Sequence, residues 1–562
     1  MRRTAVLPAL LLLLLLAPAY PAAAHSDADL VAQIDQLLAK TYPAAEPGAA
    51  VLVEKDGKVL LRKGYGMANL ELSVPIAPEM AFRLGSITKQ FTAVAILKLA
   101  EQGKLALSDD LTRYLPDYPT HGQKITLENL LTHTSGIKSY TSLPRWHQTI
   151  REDLTPQQMV DLFKDEPADF APGEKWLYDN SGYFLLGMVI EKVTGKTYAA
   201  ALAETIFTPL GLPHTAYGAD APLVPGRVAG YQGEPGHYEN ADYLSMTPYA
   251  AGSLVSTVDD LARWEHALFS GTLLRQDLFA RMVTPYPLKN GKATAYGYGL
   301  GIWSFEGHRV IEHGGDINGF TTELLRLPED RITVVLLSNN PDHAPRPDFL
   351  GIEIASLLLG KPLAERKPIP VDPALLGRYD RYVGVYRLDA ETTRVVTREG
   401  SRLFTQRLPG GGRTEILPLS LTDFYYPDTV DTLHFNTGGT GAQLKVTGMT
   451  HTGHGEVDEA VRTSDPLPKE KTAVAVAPDL LEGLVGTYRL APGFALVVTR
   501  EGAHLYTQAT GQSRLEVFAT SPEEFFVKEI DATLTFNRGP GGKATGLVLH
   551  QGGRDLPGPR EP

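Results

Sequence analysis

The chain has 562 residues, more than one ordinary hydrophobic core accommodates, so we expect two to four domains. Its hydrophobic content of 43% and charged content of 21% are typical of a soluble globular protein, and its net charge of -12 disfavours nucleic-acid binding. Cysteine is absent from the sequence, which excludes thiol nucleophiles, thiolate metal sites and a lipidated N-terminal cysteine.

The first 24 residues have the pattern of an export signal. Arg2 and Arg3 precede a Leu-rich stretch, and Ala22 and Ala24 offer a cleavage site. The apolar run is shorter than the roughly 20 residues that a membrane-spanning helix needs. We therefore expect a signal peptide at 1–24 and a periplasmic or secreted protein with no integral membrane span after signal removal. The alternative is an uncleaved anchor.

Residues 25–360 mix helical and strand patterns. Helical spacing of apolar residues and period-2 alternation predict the elements in chain order. These are a helix at 29–41, strands at 49–54 and 58–65 joined by a turn, a helix at 86–102, and strands at 309–312, 321–327 and 333–338. The order predicts an α/β (mixed) domain in which helices flank an antiparallel sheet.

The tail is an internal duplication. A Pro-rich stretch at 361–376 indicates a linker, and short β-branched runs follow it. Four ordered phrases recur at nearly one offset, for example 395–400 with 497–502 and 403–406 with 505–508. We predict two small all-β barrels of six to eight strands each, at 377–463 and 483–556, with a second linker at 464–482.

Ser86 and Lys89 are the leading candidates for chemistry. Residues at i and i+3 share a helix face, so the Ser86 hydroxyl lies beside the Lys89 ammonium. A helix N-terminus there adds partial positive charge and free N–H groups that favour an oxyanion. The alternative for the isolated phrase is an ordinary N-cap serine followed by a solvated lysine.

Several ordered phrases over residues 25–360 make the chain resemble the serine β-lactamase and penicillin-binding-protein superfamily. The resemblance is to its class C β-lactamase, D-aminopeptidase and esterase branch. Ser86-Ile-Thr-Lys89 is similar to its first motif, and Tyr178-Asp-Asn180, after Pro172-Gly173, is similar to its second, Y-x-N. The flanking phrases 130–137 and 252–262 also resemble that branch, and His313-Gly-Gly315, after a predicted strand, resembles its third motif.

The resemblance implies a role for each matched residue. Ser86 is the nucleophile, Lys89 its base once burial lowers the pKa of its amine, and Tyr178 a proton relay to the leaving group. Asn180 binds Lys89 and the acyl part of the substrate. The backbone N–H groups of Ser86 and of Asp316, after the third motif, form the oxyanion hole. His313, Gly314 and Gly315 line the substrate site.

Two residues depart from the family pattern. Asp179 stands where serine is commoner, and it either raises the pKa of Tyr178 or points to solvent. His313 stands where β-lactamases have lysine, and a neutral imidazole binds a carboxylate less well than an ammonium. This favours a peptidase, amidase or esterase over an efficient β-lactamase. We expect a packing role for His133, with a triad base as the alternative.

The predicted function is hydrolysis of small amides or esters through a Ser86 acyl-enzyme. D-amino-acid peptides, esters and, more weakly, β-lactams are the expected substrates. No metal-ligand motif is present in the sequence, so no cofactor is expected. The alternatives are an inactive binding or scaffold protein and a transpeptidase. The tail modules resemble the small lipocalin-like barrels appended to some D-aminopeptidases, and by that analogy we expect them to border the cleft and narrow the substrate range.

Overall fold

The computed structural model describes most of the chain. The described residues are 26–218, 222–241, 249–363, 368–371, 373–389, 392–408, 412–427, 429–439, 445–454, 456–468, 473–491, 494–510, 514–528, 530–551 and 554–561. The predicted signal peptide therefore lies outside the described residues.

The N-terminal domain is built on a six-stranded antiparallel sheet, so the predicted fold class is confirmed. Its spatial order is Gly301–Phe305, His308–Ile317, Phe320–Leu327, Ile332–Ser338, Ala49–Lys55 and Lys58–Tyr65. Both faces of the sheet are covered. Ala50 and Leu52 pack into the core of one layer, while Ala49, Val51 and Val53 pack into the other, as the period-2 alternation of a strand requires.

Helices form the two covering layers. Helices Asp27–Thr41 and Pro347–Leu358 cover one face together. The remaining helices of this domain are Thr88–Glu101, Leu127–Leu131, Pro144–Thr149, Pro156–Phe163, Asn180–Thr194, Tyr198–Leu202, Thr208–Leu210, Val258–Phe269 and Gln276–Met282. Short 3-10 turns lie at Gly85–Ile87, Leu111–Arg113, Tyr140–Ser142 and Tyr249–Ala251, and a π turn at Ala203–Phe207. Small strands lie at Met67–Asn69, Val74–Pro75, Phe82–Arg83, Ala216–Tyr217, Tyr231–Gln232, Glu239–Asn240 and Leu254–Ser256.

The tail forms two eight-stranded antiparallel units of the same design, here called barrel 1 and barrel 2. Barrel 1 is closed and consists of Gly384–Arg387, Thr393–Glu399, Arg402–Leu408, Arg413–Pro418, Asp423–Tyr425, Thr432–Gly438, Lys445–Gly453 and Glu456–Arg462. Barrel 2 consists of Gly486–Ala491, Phe494–Glu501, His504–Ala509, Leu515–Ala519, Glu524–Val527, Ala532–Arg538, Ala544–Gln551 and Arg554–Pro559. A bridge between Tyr488 and Arg560 nearly closes barrel 2.

Each barrel is preceded by a helix that the sequence patterns did not predict. Helix Pro373–Tyr382 begins within the stretch that we assigned to the first linker, and helix Pro478–Glu482 lies within the second. Tyr379 and Tyr382 are buried in the core of barrel 1, and Leu481 is buried in that of barrel 2. These helices therefore close one end of each barrel.

Two predicted boundaries near the motifs were wrong. The strand predicted at 309–312 extends to Ile317, so His313-Gly-Gly315 lies inside a strand and not after one. The helix predicted from Ser86 begins instead as a 3-10 turn and becomes α-helical at Thr88.

Barrel 1 packs against the central sheet at its edge strand Gly301–Phe305 and the adjacent strand His308–Ile317. Nδ1 of His454 lies 3.1 Å from Oε1 of Glu312, and its ring lies 5.0 Å from that of Trp303. Val430 of barrel 1 is buried in the core of the N-terminal domain. Barrel 2 touches this domain elsewhere, where strand Gly486–Ala491 meets helix Pro144–Thr149. Within the described part of the chain, no helix is long and apolar enough to cross a membrane.

Candidate active site

Ser86 lies on a tight turn that only glycine permits. The preceding Gly85 has φ +54°, and a Cβ on it would lie 2.8 Å from the backbone N of Asp316. Thr322 Oγ1 also donates to the carbonyl of Leu84 across 2.8 Å. The start of the helix is thereby held against strand His308–Ile317, which carries the third motif, and against its neighbour Phe320–Leu327, so that Ser86 and Asp316 are brought together.

Lys89 is fully buried on the helix that follows. Its Nζ atom lies 3.0 Å from Oγ of Ser86, 2.8 Å from Oδ1 of Asn180 and 2.7 Å from the carbonyl O of Ala251. Burial lowers the pKa of Lys89 well below its ordinary value, although the charge of Asp179 opposes this. The amine is therefore able to lose its proton.

The partners of a neutral Lys89 define where its lone pair points. Asn180 Nδ2 donates to Oγ1 of Thr141 across 3.1 Å, which leaves Oδ1 of Asn180 as an acceptor toward Lys89. The carbonyl of Ala251 is also only an acceptor. A neutral amine has two N–H groups, and these two oxygens use both. The remaining lone pair faces the hydroxyl of Ser86, which is the arrangement of a general base.

Tyr178 completes the cluster around the serine. Its hydroxyl hydrogen-bonds Ser86, and Lys89 Nζ lies 4.8 Å from its ring centroid. Burial raises the pKa of Tyr178, the hydrogen bond with Ser86 lowers it, and the charges of Asp316 and Asp179 raise it further. The phenol is therefore protonated at neutral pH and can donate a proton.

Asp179 does not point to solvent, so that alternative was wrong. It is 3% exposed and caps helix Asn180–Thr194, with its Oδ2 accepting from the N–H of Gly182 across 3.1 Å. Burial raises the pKa of Asp179 to about 7, against the hydrogen bonds from Gly182 and Ser135. The other expected effect is present, since the charge of Asp179 contributes to the raised pKa of Tyr178.

His133 is buried among aromatic rings beside the site. Its ring centroid lies 4.4 Å from that of Tyr178 and 4.7 Å from that of Tyr296, and its Nδ1 accepts the backbone N–H of Asp179 across 3.0 Å. Burial, with the charges of Lys89 and His313, lowers the pKa of His133 well below its ordinary value. The ring is therefore neutral, and its contacts are those of a packing residue.

His313 faces the same cluster but has no free N–H group. Burial lowers its pKa to about 3, so the ring is neutral and one nitrogen carries hydrogen. Nδ1 lies 2.6 Å from the carbonyl of Gly314, which can only accept, and Nε2 lies 2.8 Å from the hydroxyl of Tyr296. The proton is thus on Nδ1, and Tyr296 donates to Nε2. We expected weak carboxylate binding from this imidazole, and this arrangement leaves it no donor for a carboxylate.

Tyr296 lies outside every sequence motif and is not among the predicted site residues. Its position is set by a loop that pairs Tyr296 with Gly301, and no local pattern signals a contact to a strand 17 residues away. Gly315 lies against Leu84, and both carboxylate oxygens of Asp316 accept from Arg346 across 2.9 Å. Among the described residues, no group of three or more His, Cys, Asp or Glu side chains could hold a metal ion.

Comparisons with known proteins agree with this geometry. A family model described as Beta-lactamase matches residues 34–358, more than half of the chain, and a domain of unknown function, DUF3471, matches residues 470–558. Penicillin-binding protein 4* of Bacillus subtilis (strain 168) is 30% identical over 436 residues, which are 74% of this chain and 94% of that protein. The D-aminopeptidase of Gluconobacter oxydans (strain 621H) is 29% identical, over 59% of this chain and 63% of its own length.

A solved structure extends the likeness beyond the N-terminal domain. The octameric penicillin-binding protein homologue from Pyrococcus abyssi has a TM-score of 0.54 and 26% identity, covering 78% of this chain and 98% of that one.

Proposed function

The chain belongs to the beta-lactamase family of serine hydrolases, and we propose that it is an exported amidase that hydrolyses small D-amino-acid amides and peptides through Ser86. The observation that carries the proposal is the hydrogen bonding of Lys89. Its two acceptor partners, Asn180 and Ala251, leave only the lone pair of a neutral amine for the hydroxyl of Ser86.

The reaction follows from these contacts. Oγ of Ser86 attacks the substrate carbonyl carbon while Lys89 takes the hydroxyl proton, and the backbone N–H groups of Ser86 and Asp316 bind the oxyanion. Tyr178, protonated and bonded to Ser86, passes a proton to the leaving amine as the C–N bond breaks, and the Lys89 ammonium returns a proton to Tyr178, so that both groups recover their starting states. Water then attacks the ester, and Ser86 is released with the acid product.

The chemistry around His313 supports amides without a carboxylate near the scissile bond. A β-lactam carries such a carboxylate, and the ring of His313 has no N–H group to offer it. The D configuration is supported by the D-aminopeptidase named above. We propose export because residues 1–24 have the composition of a signal peptide.

Covalent labelling and turnover test the proposal together. A fluorophosphonate should label Ser86 in the mature protein, with Ser86→Ala as the variant that loses the label and the exposed Ser270→Ala as the matched control. D-alaninamide should be hydrolysed faster than L-alaninamide and much faster than benzylpenicillin. A folded protein that neither takes the label nor releases ammonia would contradict the proposal and favour a scaffold role. Transfer of the acyl group to an added amine in place of water would identify a transpeptidase.

We propose that the tail barrels restrict the entrance to this site, and a contact of barrel 2 supports this. Helix Pro144–Thr149, which barrel 2 touches, follows the turn Tyr140–Ser142, and Thr141 in that turn bonds Asn180. We expect removal of 361–562 to broaden the range of hydrolysed amides. An unchanged substrate profile in a folded truncated protein would show that the barrels do not border the cleft.

A further inference from the structure

A cavity lies behind the strand that supplies the oxyanion donor. Side chains alternate between the two faces of a sheet, so those of Glu312 and Asp316 lie on the face opposite to that of His313. A cavity of about 240 Å³ opens on that face, where the N-terminal domain meets barrel 1. Its charged lining is Glu312, Asp316, Glu323, Arg346 and Asp348, together with His454 of barrel 1.

Glu323 is a buried carboxyl group of this cavity that has no partner. The residue is 1% exposed, and its Oε1 atom has no hydrogen-bond partner. Among the described residues, no ion pair to Glu323 is present. A buried carboxylate without a cation or a hydrogen-bond donor is costly, so this group lacks a partner that the described residues do not supply.

Protonation alone does not satisfy Glu323. Burial raises its pKa well above the ordinary value, and the charges of Glu312, Asp348 and Asp316 raise it further, against the charge of Arg346. The resulting neutral carboxyl still carries an O–H group that needs an acceptor. Apolar side chains lie beside it on the same face, since Leu325 and Leu336 belong to the core there. A leucine would therefore serve the fold better than this glutamate.

Gly314 gives the cavity access to the carboxyl group of Glu323. The two residues lie directly opposite each other on adjacent strands, and both line the cavity. A Cβ on Gly314 would lie 3.0 Å from Oε2 of Glu323. Because glycine stands there, the space beside the carboxyl stays free for a ligand.

The other charges of the cavity are largely engaged with each other. Arg346 Nη2 donates to both carboxylate oxygens of Asp316 across 2.9 Å, and its Nε lies 3.8 Å from Oδ1 of Asp348. His454 Nδ1 lies 3.1 Å from Oε1 of Glu312, whose Oε2 is buried without a partner. With Glu323, the carboxyl groups outnumber the cations, and the unsatisfied oxygens are those of Glu312 and Glu323.

A primary ammonium group fits these acceptors better than a guanidinium or a metal ion. An ammonium is compact and has three N–H donors, so it can bond Glu312 and Glu323 on their adjacent strands together. A guanidinium favours both oxygens of one carboxylate. Among the described residues, no group of three or more acids and histidines could hold a metal ion. The cavity also exceeds several times the roughly 30 Å³ of a water-sized ion, so it has room for an alkyl chain.

From this arrangement we propose that the cavity binds a primary alkylammonium group, from a free amine or a lysine side chain, through Glu312 and Glu323. The ammonium takes the place of the carboxyl proton of Glu323, and this proton passes to solvent. The site lies on the other face of the strand from His313, and the proposal does not depend on the hydrolytic chemistry.

Calorimetry at pH 7 on the full chain carrying Ser86→Ala tests binding without turnover. The ligands are butylamine, Nα-acetyl-lysine methylamide, tetramethylammonium, which has the charge but no N–H group, and Ca²⁺. Butylamine should bind saturably, and tetramethylammonium at least about tenfold more weakly. Tighter binding of the lysine derivative than of butylamine would assign a lysine side chain, and equal or weaker binding a free amine. Absence of saturable butylamine binding, equal binding of tetramethylammonium or tighter binding of Ca²⁺ would overturn the proposal.

Proton release distinguishes this site from general attraction of amines to an acidic protein. The heat of butylamine binding is compared in phosphate and in HEPES, whose ionisation enthalpies differ. The parent should release a proton on binding, and its affinity should rise with pH until the amine itself deprotonates, near about pH 10. Glu323→Gln has no such proton and should release none. Equal release in the parent and in Glu323→Gln would contradict the proposal.

Single substitutions locate the site. Glu323→Gln has the shape of the protonated carboxyl and should fold as the parent does, while binding butylamine at least about tenfold more weakly. Glu312→Gln should also weaken binding. Glu329→Gln removes an exposed carboxylate just after strand Phe320–Leu327 and should leave the affinity unchanged. Unchanged affinity in both Glu323→Gln and Glu312→Gln would place the amine elsewhere and overturn the proposal.

Discussion

The backbone N–H of Asp179 donates a hydrogen bond to Nδ1 of His133 across 3.0 Å, and this bond joins two sequence motifs that are 46 residues apart. Since Nδ1 accepts, the ring proton lies on Nε2, which is buried without a hydrogen-bond partner among the aromatic rings. His133 thus holds the start of helix Asn180–Thr194, and with it Tyr178 and Asn180, in register with Ser86.

We predict that His133→Ala lowers kcat by about 10- to 100-fold, because small displacements of reacting groups are costly. The shape of the pH–rate profile should not change. His133→Asn should retain most activity, since asparagine tolerates the positive φ of 56° found here and offers an oxygen at the place of Nδ1. Loss of the acidic limb of the profile in either variant would instead identify His133 as a base.

Lys89 should determine the acidic limb of the pH–rate profile, that is, the range in which the rate rises with pH. Its pKa is lowered by burial, and only the neutral amine accepts the proton of Ser86, so kcat/KM should rise with pH through that pKa. Lys89→Met should lower kcat by about 10²- to 10⁴-fold and remove the limb. Lys98→Met is the matched control, because Lys98 lies on the same helix and bonds the carbonyl of Leu273, away from the site. A limb that survives in Lys89→Met would require another base.

Asp179→Asn should change both catalysis and stability. The charge of Asp179 raises the pKa of Lys89, so removing it should move the acidic limb to lower pH. Asparagine keeps an acceptor for the N–H of Gly182 and remains a good helix cap.

The stability effect of Asp179 has a definite sign. Its pKa is raised from 3.8 to about 7 on folding, so the carboxyl does not penalise folding below about pH 4. The penalty grows as pH rises toward 7 and then stays constant, at about 1.4 kcal/mol per pKa unit. Asp179→Asn should therefore unfold at higher urea than the parent at pH 8, and this advantage should disappear near pH 4. An equal difference at both pH values would contradict the shift.

His454 and Glu312 should couple barrel 1 to the N-terminal domain. Burial disfavours the charged ring, but the hydrogen bond and charge of Glu312 outweigh this and raise the pKa of His454 to about 9. Because this pKa is raised, the ion pair stabilises the folded, docked state fully below pH 6.5, and this stabilisation is lost as pH rises through about 9.

A double-mutant cycle with His454→Ala and Glu312→Gln should give a coupling of about 1 to 2 kcal/mol at pH 6, since solvent screens the partly exposed histidine. The coupling should approach zero at pH 10. It is measured from the urea midpoint of the transition in which the domains separate. A coupling that does not change with pH would show that the contact is packing against Trp303 and not an ion pair.

The sequence allowed the members of the candidate site to be predicted better than the residues around them. Ser86, Lys89, Tyr178 and Asn180 carry local motifs, and the strands of the central sheet show a clear period-2 pattern. Only the first residues of helix Pro373–Tyr382 fall in the linker predicted at 361–376, which was inferred from the prolines of that stretch. The helix was not predicted, because Leu375, Tyr379 and Tyr382 are buried only once barrel 1 has formed. Contacts such as those of Tyr296 with His313 and of His454 with Glu312 depend on loop and domain docking, which no short pattern encodes.

Gly85 allows the oxyanion hole to be tested apart from backbone strain. Gly85→Ala strains the backbone, because alanine disfavours the left-handed conformation, and it also places a Cβ 2.8 Å from the backbone N of Asp316. Gly103, just beyond the other end of the same helix, has φ +66°, and a Cβ added there would have no atom within 4 Å. Gly103→Ala therefore loses only the free energy needed to hold alanine in the left-handed conformation, about 1 to 2 kcal/mol. We predict that Gly85→Ala loses about 10²- to 10³-fold in kcat, as expected when an oxyanion donor is displaced, while Gly103→Ala keeps its kcat. Because both variants share the backbone cost, equal values of kcat for the two would show that Asp316 N–H does not contribute to the reaction.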